Sequence, residues 1–86
     1  YPNPFNATVT IPFVIPRESH VRISVLNIGG QTVRTLWDRS ARAGTHRVQW
    51  NGLDDQGSHV ASGTYVVRMD AGVGQAIHLQ KITLLK

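Results

Sequence analysis

Cysteine is absent from the 86 residues. Its absence removes disulfide staples, thiol nucleophiles and thiolate metal sites together. Acidic groups are also scarce, with five Asp plus Glu in total and a single Glu, Glu18. A glycosidase-like carboxylate pair would have to be drawn from Glu18, Asp38, Asp54, Asp55 and Asp70, most of them in turn-like stretches. No serine sits in a nucleophile elbow, and so short a chain has little room for a water-excluded cleft. An enzyme is therefore not expected. No apolar run approaches the ~18 residues of a membrane-spanning helix, so no transmembrane segment is expected. No charged stretch leads into an apolar one at the start, so no signal peptide is visible. The 16% charged share is low, against about a quarter in ordinary domains. With 41% hydrophobic residues and a net charge of +4, disorder is still not indicated.

The sequence pI of 10.4 comes from nine Lys plus Arg scattered from Arg17 to Lys86 rather than gathered on one stretch, so a nucleic-acid partner is not expected. His20, His46, His59 and His78 lie far apart in sequence. They form no spaced ligand motif, and neither a metal nor a cofactor is expected.

Twenty-three residues are Val, Ile or Thr, the types that suit a pleated sheet, and helical periodicity is missing. Val9, Ile11 and Phe13 alternate with polar or small residues. So do Val21, Ile23 and Val25; Val48 and Trp50; and Tyr65, Val67 and Met69. Such alternation predicts strands with one buried face. Pro12 donates no ladder hydrogen bond, which predicts an edge strand or a break. Ile77 and Leu79 share one parity and Ile82 and Leu84 the other. A β-bulge near Gln80–Lys81 would return all four to the core. Turn residues separate the runs: 16–19, Gly29-Gly30, a polar loop over 38–44, the long loop 51–63, and Gly72 with Gly74. Six strands follow, with a seventh around 58–61. The spacing predicts an all-β sandwich or barrel. Residues 1–6, carrying Pro2 and Pro4, read as a linker exit and 7–86 as one domain. The chain reads as a module of a longer protein.

Two binding chemistries are open to such a chain. Asn51, Asp54 and Asp55 could supply oxygens to calcium, although Asn, Asp and Gly are equally what tight turns require. Trp37 could stack on a sugar in a carbohydrate-binding accessory module, provided that it is exposed. Because it follows Leu36 directly, one of the two faces outward unless the strand bends.

Several segments in order carry a resemblance: 1–6 (YPNPFN) with 8–13 (TVTIPF), 21–33 (VRISVLNIGGQTV), 44–52 (GTHRVQWNG), 54–57 (DDQG), 61–69 (ASGTYVVRM) and 80–86 (QKITLLK). This series resembles the C-terminal Ig-like secretion and sorting domains of the type IX (Por) system, and equally the related Ig-like domain of the flagellar hook-capping protein. Asn27 stands where that pattern commonly has Asp, and Leu26 where it has an aromatic. Both resemblances imply an immunoglobulin-like antiparallel sandwich of about seven strands. The first also implies a C-terminal address for a larger bacterial protein. Its N-terminal cargo domain would be sent to the outer-membrane translocon, and a surface sortase could then act on it. Secretion or cell-surface placement follows. The recognition residues would lie in the last strands, at Gly63, Tyr65, Lys81, Ile82, Leu84 and Lys86. The second implies a structural or adhesive module, a spacer or a hook-cap-like assembly unit, with room for a weak homodimer.

Overall fold

A computed structural model describes residues 8–72 and 77–85. The proposed linker exit, Gly74 and Lys86 lie outside the described residues. Six strands follow in order: β1 (Val9–Ile15), β2 (Ser19–Leu26), β3 (Thr32–Ala41), β4 (Gly44–Trp50), β5 (Gly63–Ala71) and β6 (Ile77–Leu84). All ladders are antiparallel, in a two-stranded sheet β1-β4 and a four-stranded sheet β3-β2-β5-β6. The protein is an all-β sandwich with an immunoglobulin-like architecture.

Period-two patterning places the core. Ile11, Phe13 and Ile15 of β1 and Trp50 of β4 face Val21, Ile23 and Val25 of β2, Tyr65 and Val67 of β5, and Ile82 and Leu84 of β6, all buried. Pro12 does sit on an edge: among the described residues, β1 pairs with β4 alone.

Strand β3 breaks the period twice. The β2–β3 register slips between Ile23 and Ser24 and again between Val25 and Leu26, so that Leu36 and Val33 are the unpaired extra residues. Each bulge turns a second consecutive side chain inward. As a result Leu36 and Trp37 both pack on the core, with Val33 beside them. The strand bends where Leu36-Trp37 required it to.

Three expectations need correction. The polar loop over 38–44 is mostly strand, because β3 runs on to Ala41. Asp38, Arg39 and Ser40 are exposed positions of an edge strand, where polar side chains cost nothing. The seventh strand is reduced to one isolated bridge, Leu53↔His59. The bulge near Gln80–Lys81 does not exist: the β5–β6 register runs unbroken from Gly63↔Leu84 to Asp70↔Ile77. The phase change in the sequence is therefore real exposure. Ile82 and Leu84 are buried, while Ile77 and Leu79 stand 51% and 65% exposed on the outer face.

Candidate functional site

The long loop is held by its own polar residues. The Asp54 carboxylate oxygen Oδ1 accepts the backbone N–H groups of Gln56 (3.0 Å) and Ser58 (2.9 Å). Gly57, at φ 84°, donates to the Asp54 carbonyl at 3.0 Å; that backbone region is open to glycine at little cost. Asn51 Oδ1 accepts the Leu53 amide at 3.2 Å. The loop then docks on the edge of β3. The Asp55 N–H donates to the Val33 carbonyl (3.0 Å), and the Thr35 N–H donates to Asp55 Oδ1 (3.1 Å). Arg34 reaches the carbonyls of Leu53 and Asp54, each at 3.4 Å. The oxygens considered for calcium thus serve the turn and the sheet edge. Among the described residues no three His, Asp or Glu side chains converge as a metal-binding group. Asp54→Ala is expected to cost about 1 kcal/mol, since two amides lose their acceptor at a partly wet site. Asp54→Asn, which keeps Oδ1, should recover most of it; urea denaturation of both variants measures the difference.

Under the loop, the Trp50 indole N–H donates to the Leu53 carbonyl at 2.9 Å. Its ring meets Tyr65 edge-on, with centroids 5.0 Å apart. The Tyr65 hydroxyl donates to the Ala61 carbonyl at 2.6 Å. A tyrosine at the start of a strand, bonded back to the chain just upstream, is the tyrosine corner of Ig-like sandwiches.

The sorting residues come together across the β5–β6 ladder, where Gly63 pairs with Leu84, Tyr65 with Ile82 and Val66 with Lys81. Tyr65, Ile82 and Leu84 are core residues, so a partner of the folded domain cannot touch their side chains. Lys81 is exposed, and Lys86 lies outside the described residues. Trp37 is half-buried. Its ring packs edge-on with Phe13 at 5.4 Å and His46 at 5.8 Å, and the Arg39 guanidinium lies 3.5 Å from its centroid. A cation–π partner occupies that ring face, and a sugar would have to displace it.

The outer face of the four-stranded sheet holds a cleft the sequence did not announce. Its volume is about 220 Å³, with Arg22, Ser24, Leu26, Thr32, Arg68 and Asp70 among its lining residues. Ser24 is the one buried polar residue described, a short side chain between Arg22 and Leu26 along its strand. Arg68 is engaged by Asp70 at 3.2 and 3.3 Å. Arg22 stands opposite Asp38 on one side and Asp70 on the other. This is a charge-balanced sheet face built of cross-strand pairs. A nucleophile with its base, or a carboxylate pair in a closed pocket, does not occur there.

These features define an Ig-like module whose two sheets bury one apolar layer between them. The chain belongs to the FlgD Ig-like domain family, whose profile matches residues 6–75. It is also similar in fold to the crystal structure of FlgD from P. aeruginosa, with a TM-score of 0.69 and 22% identity over 91% of this chain. The present chain spans 60% of that solved chain. A search of curated proteins finds no match. Of the two resemblances carried by the sequence motifs, these findings support the one to the hook-capping protein; they lend no support to a type IX sorting role.

Proposed function

We propose that the chain is a non-catalytic structural module, a rigid Ig-like unit of a hook-cap-like assembly in a larger bacterial protein. The observation that carries this reading is membership of the FlgD Ig-like domain family over residues 6–75. The geometry agrees with it. The core is closed by aromatic and aliphatic side chains, the loop polar groups are spent on the loop, and among the described residues no buried side-chain polar atom lacks a partner. Such a unit contributes shape and surface rather than chemistry.

The sorting reading remains the rival, and one experiment separates the two. Residues 8–85 are deleted from the parent protein, and both export and oligomeric state are followed. The assembly reading expects the parent to reach its usual location but to lose its higher-order species in sedimentation. Failure of export, with cargo retained inside the cell, would instead favour the address reading and its secretion-machinery or sortase partner. Intact export with intact assembly would refute both.

A further inference from the structure

The edges of the two sheets are not equivalent. The edge of β3 is closed where loop residue Asp55 bonds to Val33 and Thr35, and β1 carries Pro12, which has no backbone N–H to donate. Pro and covering loops are how natural sheets blunt an edge. Strand β6 has neither, and Lys81 is its one edge-blunting residue. It is eight residues long, contains no Pro or Gly, and its register with β5 carries no bulge. Among the described residues no strand pairs with its other side. Its one charged side chain is Lys81.

Apolar surface lies on both faces of that same edge. On the outer face stand Ile77 and Leu79, more than half exposed. On the inner face, the two-stranded sheet is too narrow to cover four strands. It leaves an apolar crevice of about 50 Å³ that includes Ile11 and Phe13 of β1, Val67 and Met69 of β5, and His78 and Gln80 of β6. An extended segment laid along β6 would send alternate side chains to the two faces. One set would cover Ile77 and Leu79. The other would reach the crevice, whose volume suits one small aliphatic side chain.

We infer that β6 is a strand-addition site. Its occupant is an extended segment of a partner protein with small aliphatic residues on both faces and one acidic residue near Lys81. Charge favours such a partner over a second copy of this chain, because β6 has no acidic residue to offer Lys81. Backbone pairing supplies the affinity and the flanking side chains the selectivity. This inference rests on the assembly reading and names the surface that would do the assembling.

The test uses the 86-residue chain and a fluorescein-labelled nine-residue peptide of alternating valine and alanine with one central aspartate. Saturable binding is expected, together with slowed exchange of those β6 amides that do not bond to β5. Lys81→Glu should weaken binding about fivefold, the scale of an exposed ion pair. A peptide with lysine replacing the aspartate should restore it. Leu79→Asp, also at an exposed position, should abolish binding while leaving the urea midpoint unchanged. Lack of saturation up to about 1 mM peptide, or protection at β1 or β4 instead, would overturn the inference. So would a dimer that the peptide does not disperse, which would make a second copy the occupant. If the peptide fails while the parent still needs the module to assemble, only the assignment to β6 falls.

Discussion

Trp50→Ala is expected to destabilise the domain by about 3–5 kcal/mol, the range for truncating a large buried aromatic. Trp50 is fully buried. It fills the junction between β4, the long loop and β5, and three effects add there. The lost ring leaves a cavity lined by core side chains. Tyr65 loses its edge-on partner 5.0 Å away, an arrangement worth about 0.5–1.5 kcal/mol beyond area alone. The Leu53 carbonyl loses the indole donor at 2.9 Å, so the loop is loosened from the core. A marginal domain has about 5–15 kcal/mol in total, so the loss is a large fraction of its stability. Trp50→Phe separates the effects, because it keeps much of the ring and removes the donor. Denaturant unfolding should rank the wild type above the Phe variant and the Phe variant above the Ala variant. A cost below about 1 kcal/mol for Trp50→Ala would be incompatible with a fully buried ring.

The second large effect is a contrast between two leucines of one strand. Leu84→Ala is expected to cost about 2–5 kcal/mol, whereas Leu79→Ala should stay within about 0.5 kcal/mol of the wild type. Both are leucines on β6, five residues apart, and hydropathy gives no reason to treat them differently. The unbroken register does: Leu84 is fully buried opposite Gly63, and Leu79 is 65% exposed opposite Arg68. Equal, large losses at both positions would restore the bulge that the structure removes. Thermal unfolding of the two variants decides the matter, with Ile82→Ala expected to side with Leu84.

Much of the fold was legible because most strands here are half-buried and alternate cleanly. Val21, Ile23 and Val25, and Tyr65 with Val67, carry their parity in the sequence, and the structure buries each of them. Strand β3 was harder to read, since two bulges put Val33, Leu36 and Trp37 on the same side. A bulge is a property of two paired strands, so its position is not written in either one. Its polar end, Asp38 to Ser40, resembled a loop because an edge strand with a wet face uses loop-like residues. In the candidate site, Asn51, Asp54 and Asp55 stood out from composition. That Asp55 would close the edge of β3 depends on contacts 20 residues apart. Gly63, Tyr65, Ile82 and Leu84 were grouped by a resemblance and are adjacent in space, but burial gives Tyr65, Ile82 and Leu84 a packing role.

The amino-acid sequence alone determined that this is a small cysteine-free β domain, and where the buried faces of β1, β2, β4 and β5 lie. Local backbone preference and two-residue alternation act within a few positions, so they can be read one segment at a time. The tertiary structure decided which strand edges are closed, that Ile77 and Leu79 face solvent, and that a four-stranded sheet is only partly covered by a two-stranded one. Those outcomes depend on pairing register and sheet width, which arise only when distant segments meet.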